Sequence, residues 1–170
     1  MKLVKIGGRL VLLGVASWAV ALVAVAVWLS EWLGLSACPL CIFQRVEYLA
    51  VAALALLAVL LRAVPAIRAI AALAAGVALA GMGTALWQTR LQLFPDPSLE
   101  CSYTDPNLIE RMVDWLGMQW PELFLATGLC SSKEWELLGL SMANWSALMF
   151  LLLAGLLVWV VLHPEGESKL

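Results

Sequence analysis

The chain has 170 residues, of which 64% are hydrophobic and only 13% are charged, with a formal net charge of −2. Soluble domains are usually about half apolar. The composition therefore excludes an ordinary water-soluble fold and indicates one compact unit embedded in a membrane.

Four apolar runs approach or exceed the roughly 20 residues that a helix needs to cross a bilayer. We therefore predict an all-α membrane protein: a four-transmembrane-helix bundle forming a single domain over residues 1–170. A short first loop and a long second loop lie on the same side of the membrane. The predicted spans are approximately 10–29, 42–61, 66–87 and 143–162, and the two loops are 30–41 and 88–142.

The basic residues predict the orientation of the bundle. Lys2, Lys5 and Arg9 precede the first span, and Arg62 and Arg68 flank the turn between the second and third spans. Since short cytoplasmic loops are enriched in Lys and Arg, we expect both termini and this turn to be cytoplasmic. The first loop (30–41) and the long second loop (88–142) then face outward, where disulfides form and persist. They contain all the cysteines of the chain: Cys38, Cys41, Cys101 and Cys130.

A rival interpretation makes the first span a cleaved signal sequence. Its apolar run is longer than the roughly 7–15 residues of a signal core. The segment 35–38 resembles a lipoprotein cleavage box, which would make Cys38 a lipidated N-terminus. Against this interpretation, Ser30, Glu31 and Trp32 separate the box from the apolar run.

Part of the long loop has helical periodicity. Asp105 and Pro106 are suitable as N-cap and first helical residue, and Trp115 follows within the periodic segment. Such a helix either rests on the membrane surface or packs on the protein. From Arg90 to Met142 the net charge is −5, which argues against nucleic acid as a partner. The predicted apolar face comprises Leu108, Ile109, Met112, Val113 and Leu116.

The four cysteines allow several interpretations. As small buried hydrophobes they would fit an apolar core, but they lie at interfaces and in a polar loop. Zinc would require four ligands at closer spacings, and the single histidine, His163, lies on the other side of the membrane, so we predict no metal. Cys38 and Cys41 have the Cys-x-x-C spacing of redox dithiols, which we favour. A purely structural disulfide between Cys101 and Cys130 remains an alternative.

The residues after the dithiol favour a reactive thiolate. Cys41 lies at the start of the second span, where a helix N-terminus carries partial positive charge, and Arg45 follows four residues later on the same face. Both stabilise a thiolate. Pro39 is tolerated at a helix start. An arginine at membrane depth is costly, so we predict a functional role for Arg45. The alternative is that its side chain extends to the lipid headgroups on the outer side.

Three segments together carry a specific resemblance to the DsbB family of bacterial disulfide bond formation proteins. The first, "CPLCIFQR", covers residues 38–45. The second, "LQLFPDPSLEC", covers 91–101, and the third, "LFLATGLCSSKEWELLGLSMANW", covers 123–145. The resemblance extends over nearly the whole chain, with four spans and one cysteine pair in each outward loop.

The resemblance implies an oxidoreductase of the bacterial inner membrane with periplasmic cysteines. Its redox-active pairs would be Cys38–Cys41 and Cys101–Cys130, and its partners a DsbA-like periplasmic thiol oxidase and the membrane quinone pool. Cys101 would form a mixed disulfide with the DsbA-like partner. Cys130 would then exchange with Cys38, and Cys41, beside Arg45, would pass electrons to ubiquinone or menaquinone.

Two positions depart from the family pattern. Gln88 occupies a position near the quinone site where we expect a histidine, and Gln44 replaces a carboxylate often found before the arginine. Glutamine donates hydrogen bonds but does not titrate. We retain Gln88 as a candidate quinone ligand beside Arg45. An alternative from another functional class is a small quinone-binding or assembly subunit whose disulfides are purely structural.

Overall fold

The computed structural model describes residues 7–96, 100–101 and 106–163. Lys2, Lys5 and Asp105, which were used in the sequence predictions, lie outside the described residues. Six helices and a two-stranded hairpin make up the described part of the chain. In chain order they are α1 (Gly8–Leu33), α2 (Pro39–Leu60), α3 (Val64–Leu93), α4 (Leu108–Gln119), α5 (Pro121–Phe124), β1 (Glu136–Leu137), β2 (Leu140–Ser141) and α6 (Met142–Leu162).

Helices α1, α2, α3 and α6 are long and apolar enough to cross a membrane, which confirms the predicted all-α four-helix architecture. Their ends differ from the apolar runs because capping residues set them. Helix α1 continues to Leu33 and ends where Gly34 adopts a left-handed conformation, with φ of 64°. Helix α2 already begins at Pro39, with Cys38 as its N-cap. Helix α3 continues to Leu93, beyond the predicted end at 87.

Small side chains allow the helices to approach closely. Helix α3 presents a row of fully buried alanines, including Ala71, Ala74 and Ala78, to its neighbours. At Gly81 an added Cβ would lie 2.5 Å from the ring of Phe150 on α6. That ring stacks on Tyr48 of α2 with 3.9 Å between ring centroids. The bundle is thus held by backbone proximity and ring packing, as is usual for helices in lipid.

Polar side chains also connect the helices within the bundle. The Tyr48 hydroxyl on α2 lies 3.0 Å from the Ser146 hydroxyl on α6. Thr89 on α3 donates to Asn144 on α6 over 2.7 Å. Thr84 on α3 donates to the buried Glu47 on α2 over 3.1 Å. Buried polar groups need such partners in an apolar environment.

The predicted helix in the long loop is present as α4, but its predicted start is wrong. The N-cap is Asn107, because its side chain accepts from Ile109 N–H and Glu110 N–H while the Glu110 carboxylate accepts from Asn107 N–H over 2.7 Å. This reciprocal capping box leaves Pro106 outside the helix. The face with Val113 packs against Ile42 of α2, so α4 docks on the protein itself.

The hairpin of β1 and β2 was not predicted. Leu138 and Gly139 connect the strands, with positive φ angles of 55° and 77°. Two such residues form the tight turn that suits a short antiparallel hairpin. The side chain of Trp145 at the start of α6 donates to the Leu137 carbonyl over 3.2 Å, which ties the hairpin to the bundle.

Candidate functional site

The Cys-x-x-C pair lies at the N-terminus of α2. The Cys38 sulfur caps the helix by accepting from Cys41 N–H over 3.2 Å, and the two sulfurs are 2.7 Å apart. Cys38 is buried, whereas Cys41 is partly accessible. Burial raises the pKa of the Cys38 thiol well above its usual range, so the reduced Cys38 stays a neutral thiol at neutral pH.

Cys101 and Cys130 form a disulfide, with Cα atoms 5.7 Å apart. The Glu100 carboxylate accepts from Cys130 N–H over 2.6 Å and from Ser131 N–H over 3.1 Å, and so fixes the backbone beside the bond. Cys130 is fully buried, whereas Cys101 is only partly buried. Glu100 and the two cysteines are close enough to suggest metal ligands, but both sulfurs are committed to the disulfide.

The structure brings the two cysteine pairs into one hydrophobic cluster. Two buried leucines, Leu40 of α2 and Leu91 of α3, pack among the cysteines. Residues from the two predicted outward loops therefore meet at one end of the bundle. All four sequence-predicted cysteines are members of the cluster: Cys38, Cys41, Cys101 and Cys130.

Main-chain contacts dock the long loop onto the dithiol segment. The backbone N–H groups of Thr127 and Gly128 both donate to the Ala37 carbonyl, over 2.8 and 3.0 Å. The Glu134 carboxylate accepts from Ser36 N–H over 2.7 Å. A Cβ at position 128 would collide with the Ser36 carbonyl oxygen, so this contact requires glycine. These contacts hold the segments on both sides of Cys130 against the residues before Cys38.

Arg45 is buried one turn after Cys41. Its guanidinium donates to the Leu123 carbonyl of α5 over 2.8 Å and to the Ser30 hydroxyl of α1 over 3.1 Å. Arg45 is therefore held inside the protein between three elements and does not extend to the headgroups. An arginine has five N–H donors, so these two contacts leave others to act on a neighbour.

Gln88 and Gln44 adjoin the dithiol, a contact that the sequence did not reveal. The Gln88 side-chain amide donates to the Cys41 sulfur over 3.0 Å and to the Cys38 sulfur over 3.2 Å. Gln44 donates to the Gln88 carbonyl oxygen over 2.7 Å. The family pattern and the presence of two polar residues in apolar helices marked both positions, but neither signal indicated that Gln88 contacts the cysteine sulfurs.

A cavity of about 360 Å³ adjoins these residues between α1, α2 and α6. Its polar end is formed by Cys41, Arg45 and the two glutamines, together with Tyr48. The remaining wall is apolar and comprises residues such as Leu22, Val23, Ala26, Leu29, Ala143 and Met149. A cavity with apolar walls and a few convergent polar groups is the usual form of a small-molecule site.

A second, smaller crevice of about 50 Å³ lies on the loop side of the same residues. Cys38 lines this crevice, and Cys41, Arg45 and Gln88 line both spaces. Cys41 therefore borders both the loop-side crevice and the apolar cavity. Such a position allows contact with a sulfur on one side and a small molecule on the other.

The fold and this site define a multi-pass membrane protein with two adjoining cysteine pairs at one end of a four-helix bundle. The model of the family "Disulfide bond formation protein DsbB" matches residues 8–160, and the chain belongs to that family.

Individual relatives agree with this assignment. "Disulfide bond formation protein B" of Dechloromonas aromatica is 54% identical over 141 residues, which cover 83% of this chain and 82% of that protein. The protein of the same name from Aromatoleum aromaticum is 36% identical, over 93% of this chain and 95% of its own length. That of Escherichia coli strain K12 is 31% identical, over 95% and 90%. The chain is thus a membrane oxidoreductase of disulfide bond formation.

Proposed function

We propose that this protein reoxidises a DsbA-like periplasmic thiol oxidase and passes the electrons to a membrane quinone. The observation that carries the proposal is the cluster in which the Cys101–Cys130 disulfide packs beside the Cys38–Cys41 dithiol. A cavity with a polar end lies directly behind that dithiol. One continuous site thus joins a disulfide on the loop side to a small-molecule space within the bundle.

In the first step, a thiolate of the reduced partner attacks the Cys101 sulfur. Cys101 is the more accessible of the two bonded cysteines, which favours attack there over the fully buried Cys130. The Cys101–Cys130 bond breaks, a mixed disulfide with Cys101 forms, and Cys130 leaves as a thiolate. The second thiol of the partner then loses its proton and attacks the partner's bonded sulfur, so that the partner leaves with a new disulfide and Cys101 is released as a thiolate.

In the second step, the Cys130 thiolate attacks Cys38 of an oxidised Cys38–Cys41 pair. A Cys130–Cys38 bond forms, and Cys41 leaves as a thiolate. Cys101, released from the partner, then attacks the Cys130 sulfur, which reforms the Cys101–Cys130 disulfide and releases Cys38, so that Cys38 and Cys41 are left as the reduced pair. Cys41 is the better leaving group because it lies at the helix N-terminus, accepts from Gln88 and has Arg45 nearby. Cys38 is buried, and attack on its sulfur releases Cys41 rather than Cys38 as the thiolate.

The cavity residues fit a quinone. Its apolar wall suits a flat ring with a hydrophobic tail, and the remaining Arg45 donors suit a ring carbonyl oxygen. Gln88 lines the same cavity and stays a candidate ligand beside Arg45. A bound quinone would accept the two electrons and two protons of the thiols. The chain's own residues hold the thiolate beside that position and exclude water from it.

The proposed location is the bacterial inner membrane, with both termini in the cytoplasm and all four cysteines in the periplasm. The positions of Arg9, Arg62 and Arg68 support this orientation, since the N-terminus of α1 and the turn between α2 and α3 lie at the end of the bundle opposite the cysteines. A single membrane domain over residues 1–170 is part of the same proposal.

Trapping tests the first step. A DsbA-like partner that retains only its attacking cysteine should accumulate as a mixed disulfide with the wild-type protein, visible as a band shift on a non-reducing gel that disappears when reductant is added. The Cys101→Ser variant should form no such complex, whereas Cys41→Ser should form it normally. If the disulfides are purely structural, the wild-type protein will also form no complex.

A further inference from the structure

We propose that Gln44 is a positioning residue that fixes the side-chain amide of Gln88 so that its N–H groups face the sulfurs of Cys38 and Cys41. The inference rests on the proposed function, in which Cys41 leaves as a thiolate. It assigns to the two glutamines a role in thiolate stabilisation, in addition to any contact that Gln88 makes with a quinone.

The hydrogen bonds form a directed chain across α2 and α3. Gln44 on α2 donates its Nε2 to the Oε1 of Gln88 on α3 over 2.7 Å. The Nε2 of Gln88 then donates to the Cys41 sulfur over 3.0 Å and to the Cys38 sulfur over 3.2 Å. An amide nitrogen has two hydrogens, so these two sulfur contacts use the full donor capacity of Gln88.

The orientation of the Gln88 amide decides whether its N–H groups or its carbonyl oxygen face the cysteine sulfurs. If its amide turned over, Oε1 would face the sulfurs, and a carbonyl dipole pointing at a thiolate destabilises the charge. Gln44 disfavours that orientation because two N–H donors would then face each other. Both side chains are buried, with 5% of Gln44 and 2% of Gln88 exposed, so water cannot easily replace the lost partner.

The charged groups around Cys41 lie on α2 itself and on the long loop. Arg45 lies on α2, while Lys133 and Glu134 of the long loop line the crevice on the outer side of the dithiol. Unlike a carboxylate or an imidazole, the two amides keep the same charge at every pH at which the protein is folded. Gln44 and Gln88 therefore support the Cys41 thiolate without a titration of their own.

The test measures the rate at which Cys41 is alkylated in the reduced, detergent-solubilised protein, resolved by peptide mass spectrometry across a pH series. Gln88→Met should slow alkylation at neutral pH about tenfold, the effect of one hydrogen bond to a charged group. It should also shift the half-maximal rate to higher pH. Gln44→Met should slow it by a smaller factor, because the Gln88 amide then samples both orientations.

The double variant Gln44→Met/Gln88→Met makes the test decisive. If Gln44 acts through Gln88, the double variant is no slower than Gln88→Met alone, so the two effects are not additive. Gln92→Met is the matched control: Gln92 is also a buried glutamine of α3, but it bonds Ser132 and Ser141, and its loss should leave the Cys41 rate unchanged. The proposal would be overturned if Gln44→Met slowed alkylation further in the Gln88→Met background. It would also be overturned if Gln44→Met left the alkylation rate unchanged in the wild-type background.

Gln44→Glu provides a second test, which keeps a polar side chain at position 44. A carboxylate at position 44 only accepts, so Gln88 should turn its N–H groups toward it and its carbonyl toward the sulfurs. We expect slower alkylation than in the wild type at neutral pH and recovery in acid relative to wild type, once the carboxyl is protonated and donates. The same substitution in the Gln88→Met background isolates the effect of charge alone, and an equal effect in both backgrounds would contradict the positioning role.

These rates are measured without quinone and without a partner protein. Their outcome therefore separates the orientation of Gln88 from the proposed electron transfer. If the trapping experiment fails while the alkylation rates behave as expected, the relay is wrong and the amide pair is retained. If trapping succeeds while the alkylation rates do not behave as expected, the relay is retained and Gln44 is not a positioning residue.

Discussion

Arg45 shows how a single residue joins several parts of the site. It lies one helical turn from Cys41 and reaches α5 through the Leu123 carbonyl and α1 through the Ser30 hydroxyl. A buried guanidinium is stable in an apolar environment only with such partners. Because Arg45 also lines the large cavity, it can orient a carbonyl-bearing ligand and stabilise the thiolate together.

We expect Arg45→Ala to raise the apparent KM for a soluble quinone analogue about tenfold, as loss of a charge-assisted hydrogen bond would. A lower kcat should accompany it, because the Cys41 thiolate loses a nearby cation. Arg45→Lys should recover only part of the activity, since a point charge does not reproduce the forked donor. Steady-state kinetics at saturating DsbA-like partner measures both constants.

Ser30→Ala is the matched control for Arg45. It removes one anchor of the guanidinium and leaves the charge, so the quinone KM should rise only about two- to threefold. Equal KM and kcat values for wild type, Arg45→Ala and Arg45→Lys would remove Arg45 from the site.

The Cys38 thiol gives a prediction on pH. Burial raises the pKa of Cys38, which disfavours the reactive thiolate. In the Cys41→Ser variant, Cys38 should therefore react slowly with iodoacetamide at about pH 8, where an ordinary thiol is partly ionised. The same cysteine in the denaturant-unfolded chain is the reference. A half-maximal rate at or below the pH of that reference would contradict the burial of Cys38.

At the scale of elements, α3 links the apolar core to the site. Its inner half packs through alanines and Gly81, and its outer half carries Gln88 to the sulfurs of Cys38 and Cys41. The close contact of Gly81 with Phe150 fixes α3 against α6. The position of Gln88 relative to the sulfurs therefore depends on helix packing deeper in the bundle.

We predict that Gly81→Ala destabilises the protein by about 1–3 kcal/mol, because the fully buried Phe150 ring stacked on Tyr48 has no room to move. Gly83→Ala is the control on the same helix, since no atom of the described residues lies within 4 Å of its added Cβ. It should be neutral or slightly stabilising. Thermal unfolding in detergent compares the two, and equal transition temperatures would contradict the proposed contact.

The sequence predicts those helices that depend on a local pattern of residues. Four apolar runs define the spanning helices because the bilayer sets their length, and one amphipathic period predicts α4. The ends of α2 and α3 and the start of α4 depend on caps and tertiary partners. Asn107 caps α4 because Glu110 reaches back to it, and Gln92 stays helical and buried because Ser141 donates to it. No periodicity in the sequence reveals such pairs.

At the scale of the whole molecule, the bundle concentrates its chemistry at one end. The Cys38–Cys41 dithiol, the Cys101–Cys130 disulfide, Arg45 and the cavity lie together there. The cysteines and Arg45 could be selected from the sequence because those residue types carry chemistry that apolar helices do not need. The orientation of Gln88 toward the sulfurs could not, because it depends on Gln44 from another helix.

In the proposed relay, electrons pass from a partner's dithiol through both cysteine pairs to a quinone. The most direct test is an anaerobic assay with reduced DsbA-like partner and a soluble quinone analogue, in which quinone loss and disulfide formation are followed together. We predict one quinone consumed per disulfide formed, and loss of turnover in Cys38→Ser, Cys41→Ser, Cys101→Ser and Cys130→Ser. Disulfide formation without quinone consumption, or undiminished turnover in any of these variants, would contradict this electron path.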